Sequence, residues 1–513
     1  MDLQQGYANR ASAETQSAGR ERIGQVAGSG NFLTFLALLA LVTAFRLVAL
    51  AFNGTDLYMD EAQYWAWSLE PALGYFSKPP LIAWIIHGAT SVCGDSEACI
   101  RFPSIALHGA TAILIYLIGQ RLYSAEIGFW AGLGYALLPA VSLSSGIIST
   151  DVPLLAAWAL ALLAFAGLMQ APSWTSALIL ALALGLGLNA KYAMAYFFAC
   201  AAVYFVIVPE SRTRLLQPHL WLALVGGIAL IVPNLLWNVE NGFVTFSHTA
   251  DNANWRGAPF HPGKAAEFFL AQFGVFGPIL FGALIAILWR LSKRNQTASA
   301  ADKLLLAFSV PIIAAVTAQA FASRAHANWA APAYVSAIVL VTAVMIRDRA
   351  WIWMRASFAI HATVAVLLAL ATWQAGHLAL PLVGDPFART LGNRELAAAV
   401  KKELAKSAAE GRPIRTVLTD DRDIAAALAY YGRDIELPVL SWREGPVPRN
   451  HFEIAKPFTA SAHQPVLLVS LRSTSPVVKR FGSASPSSRR EVSAGRHSTR
   501  TLYLATLDRF QER

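Results

Sequence analysis

The sequence predicts a mainly α-helical protein that crosses a membrane many times and ends in a small α/β domain. Of its 513 residues, 56% are hydrophobic and only 14% are charged, whereas soluble proteins usually carry about 25% charged residues. The mean hydropathy is +0.46, and several apolar runs reach the roughly 20 residues needed to cross a bilayer. After about residue 380 the chain becomes polar, which indicates a separate C-terminal domain.

About 11 apolar segments fit the length of a transmembrane helix, and counting shorter ones we predict about 11–13. They are 32–52, 103–122, 126–145, 152–170, 174–190, 192–208, 219–237, 266–289, 304–322, 329–346 and 353–374. Residues 31–380 are therefore predicted to form a transmembrane domain. The polar residues 1–30 are predicted to form a cytoplasmic tail.

The distribution of lysine and arginine predicts the orientation, since cytoplasmic loops carry an excess of these residues. With the N-terminus in the cytoplasm, most loop cations lie on the cytoplasmic side. The opposite loops hold few cations, namely Lys78, Arg101, Lys191, Arg256, Lys264 and Arg324. This orientation places the loop 53–101 and residues 381–513 outside the cytoplasm. The net charge of +10 suits anionic lipids or phosphates, and we expect no nucleic acid as a partner.

The loop 53–101 is rich in aromatic and charged residues. We predict a helix over residues 60–69 and a second helix, lying in the membrane interface, over 79–93. Trp65 and Trp67 are interpreted as part of an interfacial aromatic belt. Cys93 and Cys99 share this loop, and both a disulfide and two free thiols remain open.

The C-terminal residues show the pattern of a small α/β domain. Strands are predicted over 415–419, 465–470 and 501–506, with a helix over 421–431. Residues 472–500 are rich in serine and in basic residues. They are interpreted as a solvated loop, with contact to anionic lipid headgroups as the alternative.

Unusual polar residues converge on one side of the membrane in this topology. The candidates are Asp60, Glu61, Asp151, Lys78, Arg101, Lys191, Arg256, Tyr334, His248, Asp251 and His326. Ordinary salt bridges are the alternative for any one of them. Clustered lysine and arginine suit a phosphate, and a nearby carboxylate suits a general base for a hydroxyl nucleophile. The set therefore predicts the transfer of a group from a lipid phosphate.

Other signatures of catalysis or cofactor binding are absent from the sequence. It contains no Walker loop and no glycine-rich dinucleotide fingerprint. His248 and His326 are candidates for a metal site, although their spacing matches no recognised ligand set. We predict no certain cofactor and leave a divalent metal open.

One stretch of the first loop resembles a known family. The residues Asp60-Glu61, Tyr75-Phe-Ser-Lys-Pro-Pro80 and Arg101-Phe-Pro-Ser104 follow the first span. This pattern resembles membrane glycosyltransferases of the protein-mannosyltransferase superfamily, including bacterial lipid A aminoarabinose transferases and rhizobial lipopolysaccharide galacturonosyltransferases. The resemblance implies the GT-C fold and transfer of a sugar from a polyprenyl-phosphate donor on the periplasmic face, with inversion.

The resemblance also implies roles for individual residues. Asp60 matches the acid near the catalytic centre, and Asp151 matches a second acid, with Glu61 beside the first. Contacts to the donor phosphate are implied for Lys78, Lys191, Arg256 and Tyr334. Ser77 stands where the aminoarabinose transferase has an acid, which leaves the metal and the sugar open. The runs 248–255 and 326–329 resemble the galacturonosyltransferases.

The functional hypothesis is a multi-pass glycosyltransferase of the bacterial inner membrane with a periplasmic active site. It would move a sugar, with galacturonic acid or a related sugar favoured, from a polyprenyl-phosphate donor to lipid A or lipopolysaccharide core. Asp60 would deprotonate an acceptor hydroxyl, whereas a phosphate acceptor would need no base. The alternatives are a protein O-mannosyltransferase and a transporter or flippase of lipid-linked sugars. A transporter predicts repeated halves with broken helices, and the sequence shows no such repeat.

Overall fold

A computed structural model describes residues 32–254, 260–293, 298–379 and 384–512. Up to residue 379 the regular elements are helices. They are α1 Phe32–Ala51, α2 Met59–Ser68, α3 Leu81–Cys93, α4 Glu97–Leu122, α5 Ala125–Leu137, α6 Pro139–Ser144, α7 Asp151–Gln170, α8 Trp174–Ala190, α9 Tyr196–Ile207, α10 Pro218–Ala229, α11 Val232–Glu240, α12 Val244–Ala253, α13 Pro262–Val275, α14 Pro278–Ser292, α15 Ala300–Ala307, α16 Val310–Ala322, α17 Ala333–Arg347 and α18 Trp351–Trp373. The predicted fold class, a mainly α polytopic membrane protein, is confirmed.

Within the described ranges, six helical stretches are long and apolar enough to cross a membrane. They are Phe32–Ala51, Glu97–Leu122, Asp151–Gln170, Pro218–Glu240, Ala300–Ala322 and Trp351–Trp373. The number rises to 8 if each of two bent helix pairs counts as one span. Each of the predicted segments is largely helical, but several are broken or short. The count of about 11–13 spans therefore stays a prediction.

The predicted span 266–289 is two helices rather than one. Helices α13 and α14 meet at an angle of 117°. Gly277 has φ +92°, and a side chain there would collide with the ring of His361. Pro278 follows as the first residue of α14, so the chain cannot continue the preceding helix through this point.

The membrane domain is held by close packing of apolar helices. Rings of Trp158, Phe165, Phe197 and Phe308 contact one another at its centre. Helices α1 and α18 are much less buried than α7. Because lipid tails are as apolar as these side chains, exposed apolar faces on α1 and α18 suit contact with lipid.

The two ends of the membrane domain carry different charges. At one end, the last turn of α17 and the start of α15 meet through Arg347 and Asp302, 3.3 Å apart. Arg290 and Asp348 form another ion pair at this end. The candidate residues Asp60, Asp151 and Lys191 lie in the first turn of α2, at the start of α7 and after α8, at the opposite end. The helices thus separate the loop arginines predicted to be cytoplasmic from the candidate site.

The loop between α1 and α4 contains both predicted helices, as α2 and α3. Cys93 and Cys99 form a disulfide with their Cα atoms 6.0 Å apart, which decides between the two alternatives. The interpretation of Trp65 and Trp67 as an interfacial belt is wrong, because both are buried. Trp65 meets Tyr430 of the C-terminal domain edge-on, with centroids 4.9 Å apart.

Residues 384–512 form an α/β domain. Its elements are α19 Asn393–Ala409, α20 Arg422–Tyr431, α21 Phe452–Ala455, β1 Thr416–Thr419, β2 Val439–Ser441, β3 Val466–Ser470, β4 Phe481–Ala484, β5 Ser488–Ser493 and β6 Thr499–Phe510. The strand order is β2-β1-β3-β6-β4, with β5 also paired to β6. β1 is parallel to β2 and β3, whereas β6 is antiparallel to β3.

The prediction for this domain is right in part. The three predicted strands appear as β1, β3 and β6, and the predicted helix as α20. The interpretation of 472–500 as a solvated loop is wrong, because β4 and β5 lie within it and pair with β6. β4 reads Phe-Gly-Ser-Ala and β5 reads Ser-Arg-Arg-Glu-Val-Ser, and neither shows a hydrophobic period that sequence reading could detect.

The C-terminal domain docks on the start of α2 through buried polar contacts. Tyr431 accepts a hydrogen bond from the backbone N–H of Leu57 at 2.6 Å and donates one to Glu97 at 2.6 Å. The carboxylate of Asp56 accepts from the backbone N–H of Asn393 at 2.8 Å. These contacts set α20 beside α2, with the first turn of α20 next to the predicted catalytic loop.

Candidate active site

Asp60 lies in the first turn of α2, and an arginine from the C-terminal domain reaches it. Helix α2 begins with a capping box in which Glu61 accepts the backbone N–H of Tyr58 at 2.9 Å. The Asp60 side chain is 39% exposed and forms an ion pair with Arg422. Arg422 also donates from Nε to Oε1 of Gln63 at 2.9 Å. Asp60 is therefore accessible, and it is held by one charged partner.

Glu61 is not accessible, although it is the next residue. Its two oxygens accept from Nε and Nη2 of Arg101 at 2.9 and 2.8 Å, and the side chains are 1% and 2% exposed. Oε1 also accepts the backbone N–H of Ile148 at 2.9 Å. Arg101 in turn donates to the carbonyls of Thr55 and Asp56. Because this pair has no free surface, we correct Glu61 from a catalytic residue and Arg101 from a substrate contact to supports for the loop.

The second predicted acid is fixed between two partners. Asp151, the first residue of α7, accepts from Nζ of Lys191 at 2.6 Å and from Nδ2 of Asn328 at 2.7 Å. The side chains of Asp151 and Lys191 are only 15% and 19% exposed. The predicted acid and the predicted lysine thus meet, but they neutralise one another.

Lys78, in contrast to Lys191, forms no ion pair with any residue that the structure describes. It is partly buried, and its ammonium donates no hydrogen bond to any residue that the structure describes. Burial lowers the pKa of Lys78, and the positive charge of Lys191 lowers it further. The negative charges of Asp60 and Asp151 oppose this shift. A partly buried ammonium near two carboxylates but hydrogen-bonded to neither is suited to an incoming anion.

His248, Asp251 and His326 are the next candidates, and the charge of Lys78 acts on both imidazoles. Burial lowers the pKa of His248 to about 4, with the charges of Lys78 and Arg422 as further causes. Burial also lowers the pKa of His326, followed by the charges of Arg324, Lys191 and Lys78. Asp251 is exposed and acts on His248 in the opposite direction. Both imidazoles are therefore biased towards the neutral form, in which they can donate or accept hydrogen bonds.

Tyr334 lies elsewhere. Its hydroxyl donates to Oε1 of Gln272 at 2.7 Å, and its ring stacks on Phe276 with centroids 4.5 Å apart. The side chain belongs to the buried core of the membrane domain. The expected phosphate contact from Tyr334 is therefore corrected to a packing role. Arg256 lies outside the described residues.

The part of the chain that the structure describes contains no cluster of potential metal ligands around His248 and His326. No group of three or more His, Cys, Asp or Glu residues there could hold an ion. His248 is instead 3.1 Å from the side-chain amide of Asn252, and the ring of His326 lies edge-on to Trp329.

Sequence reasoning missed Arg422. It begins α20, where Asp421 caps the helix by accepting the backbone N–H groups of Asp423 and Ile424. The sequence shows the cap but not the direction of the next side chain. Only the docking of α20 on α2 brings Arg422 to Asp60.

These features define a class of protein: a multi-pass membrane protein with an accessible carboxylate, a fixed carboxylate and a cation available to an anion, all at one end of the helices. The match to known families agrees with this class. The family model described as dolichyl-phosphate-mannose-protein mannosyltransferase matches residues 77–237. The structure of ArnT from Cupriavidus metallidurans, in its apo state, superimposes with a TM-score of 0.62 at 14% identity and covers 93% of this chain and 98% of ArnT. The same protein bound to undecaprenyl phosphate gives the same score.

Sequence relatives are more specific. The lipid A galacturonosyltransferase RgtD of Rhizobium johnstonii is 36% identical over 414 residues, which are 80% of this chain and 85% of RgtD. The lipopolysaccharide core galacturonosyltransferase RgtA of the same organism is 28% identical over 184 residues, covering 36% of this chain and 37% of RgtA. The chain therefore belongs to the RgtD family of GT-C membrane glycosyltransferases.

Proposed function

We propose that the protein transfers galacturonic acid from a polyprenyl-phosphate donor to lipid A, on the periplasmic face of the inner membrane. The sugar and the acceptor follow the relative RgtD, a lipid A galacturonosyltransferase. The donor type is supported by ArnT, which has the same fold and binds undecaprenyl phosphate. The observation that carries the proposal is that Lys78, which the charges of Asp60, Asp151 and Lys191 influence, is partly buried and has no hydrogen-bond partner in the described chain.

The reaction needs a base on one side of the anomeric carbon and charge stabilisation on the other. An acceptor hydroxyl attacks the anomeric carbon, and Asp60 takes the hydroxyl proton. The bond between that carbon and the phosphate oxygen breaks, and the oxygen keeps the electron pair. Lys78 stabilises the negative charge that develops on the leaving polyprenyl phosphate. Attack opposite the leaving group inverts the anomeric configuration.

Asp151 and Lys191 act together in this scheme. Their ion pair, 2.6 Å long and oriented by Asn328, presents a positive end beside Lys78. Lys191 then adds to the field at the phosphate, while Asp151 keeps it in position. The charge bias supports the periplasmic side, because the ion pairs of Arg290 and Arg347 lie at the opposite end of the helices.

The direct test supplies the purified, full-length protein with polyprenyl-phosphate galacturonate and lipid A. We expect lipid A to gain one hexuronic acid residue by mass spectrometry, with release of free polyprenyl phosphate. Asp60→Asn removes the base but keeps the size of the side chain, and should lower transfer by about 10²-fold or more. Absence of uronate on lipid A in the presence of the wild-type protein would contradict the proposal, and transfer of mannose to a peptide would support the protein O-mannosyltransferase alternative.

A further inference from the structure

The guanidinium of Arg422 has hydrogen-bonding capacity that the protein does not use. Nε donates to Gln63 at 2.9 Å and Nη2 contacts Asp60. Nη1 donates no hydrogen bond to the residues described here. The side chain is 27% exposed, whereas Gln63 is 1% exposed. Arg422 is thus anchored on one edge by a buried amide and open on another.

The charges of the site leave room for a second anion once Asp60 is protonated. Asp151 is paired with Lys191, and Glu61 with Arg101. Lys78 matches the single charge of a donor phosphodiester. Arg422 is neutralised by Asp60 only while Asp60 is ionised, and in the proposed reaction Asp60 takes a proton. A partly buried cation that loses its counter-ion is unfavourable, so a substrate that brings its own carboxylate would be favoured here.

We propose, on the basis of the proposed sugar transfer, that Arg422 forms the subsite for the carboxylate of a uronic acid and selects that sugar over a neutral hexose. The planar guanidinium fork matches a carboxylate in a bidentate or bridging geometry. Arg422 contacts the base and the sugar together in this arrangement. The C-terminal domain, which supplies Arg422, then determines sugar specificity.

The location of Arg422 supports this assignment. Its charge acts on His248, as does that of Lys78, and His248 lies against Phe76 with ring centroids 5.3 Å apart. Arg422 thus lies at the same candidate site, where it contacts Asp60 directly. A sugar bound between Lys78 and Arg422 would have its phosphate at one and its carboxylate at the other.

The test compares binding and transfer for donors that differ only in the carboxylate. The full-length protein, in nanodiscs, is given polyprenyl-phosphate galacturonate, polyprenyl-phosphate galactose or free polyprenyl phosphate. Arg422→Gln should weaken binding of the uronate donor by about 10- to 100-fold, the range for a charged hydrogen bond. Binding of free polyprenyl phosphate should change by less than about 3-fold, and Arg422→Lys should fall between wild type and glutamine.

Two controls separate recognition from a structural role. Arg412→Gln removes an arginine of the same domain whose side chain is 80% exposed, and should bind all three ligands like wild type. Asp60→Asn releases Arg422 from its counter-ion while keeping the residue in place. It should bind the uronate donor at least as tightly as wild type, whereas a purely structural Arg422–Asp60 link predicts a loss in both variants.

Several outcomes would overturn the assignment. They are an unchanged affinity of Arg422→Gln for the uronate donor, an equal loss for the uronate and neutral donors, and a parallel loss in Asp60→Asn. If Arg422→Gln does not fold, Arg422→Lys decides the question by the same comparison. Binding requires no turnover, so failure of the wild type to modify lipid A would remove the proposed function without deciding the binding result.

Discussion

Two adjacent carboxylates, Asp60 and Glu61, each meet an arginine, and the two pairs behave differently. The Glu61–Arg101 pair is 1% and 2% exposed and bidentate. The Asp60–Arg422 pair is 39% and 27% exposed and joins two domains. Neighbouring residues on a helix point in different directions, so α2 presents one acid to the interior and the other to the site. The same type of ion pair therefore stabilises the loop in the case of Glu61–Arg101 and forms a contact that a substrate can replace in the case of Asp60–Arg422.

The energetics of the two pairs follow from their exposure. Removing one partner of a buried ion pair costs about 3–5 kcal/mol because the other charge is left uncompensated. An exposed pair contributes only about 0–1 kcal/mol. The exposed pair can thus open for a substrate at little cost, while the buried one holds the loop in place throughout.

The largest expected effect comes from breaking the buried pair. Glu61→Gln should lower the free energy of unfolding by about 3–5 kcal/mol, since Arg101 would be buried without a counter-charge. The measurement is thermal unfolding of the purified protein, together with its folded yield. Asp60→Asn is the matched variant and should change stability by no more than about 1 kcal/mol. Equal stability of the two variants would show that burial does not distinguish the two pairs.

The sequence identifies the charged residues of the site, but it does not show which of them are buried supports and which are accessible to a substrate. Asp60, Lys78, Asp151 and Lys191 attract attention because charges near membrane spans are costly without a function. Asp60 and Glu61 look alike in sequence, however. Which one is buried depends on the position of Arg101 and on the approach of the chain before α7.

Arg422 shows why the other residues of the site cannot be predicted from the sequence. It lies 362 residues from Asp60 along the chain, and no local period or spacing connects the two. The interpretation of Trp65 as interfacial is wrong for the same reason, because its ring packs against Tyr430 of the docked domain. Helix α2, in contrast, is predicted correctly from its own helical period, which is a local property.

A smaller effect is expected at Lys78, which has no ion-pair partner in the part of the chain that the structure describes. Lys78→Met should weaken donor binding by about 10- to 100-fold, because a charged hydrogen bond to the phosphate is lost. Burial and Lys191 lower the pKa of Lys78, and a lysine binds anions only below its pKa. Donor binding to wild type should therefore decline with rising pH earlier than for an ordinary lysine. Lys78→Arg should move this decline to higher pH, since arginine stays charged.

Lys191→Met provides the comparison, because Lys191 is paired with Asp151, whereas Lys78 has no ion-pair partner among the described residues. Its removal leaves the charge of Asp151 uncompensated beside the donor phosphate, so binding should also fall. The two losses should not add in the double variant, since both act on one ligand. Binding that is independent of Lys78, or an alkaline decline that persists unchanged in Lys78→Arg, would show that the phosphate lies elsewhere.

The smallest expected effect concerns His248, which tests whether the site contains a further ionisable group. Burial lowers the pKa of its imidazole to about 4, and Lys78 and Arg422 oppose its protonation. Because a histidine is charged only below its pKa, His248 is neutral above about pH 5 and supplies a hydrogen bond rather than a charge. His248→Gln keeps that capacity and should lower transfer by about 2- to 10-fold at most, the range for a neutral hydrogen bond. Transfer by wild type should then show no step near pH 6.5 that this variant removes. If such a step exists and disappears in His248→Gln, the histidine is charged during turnover, and Asp60 is not the only acid–base group at this site.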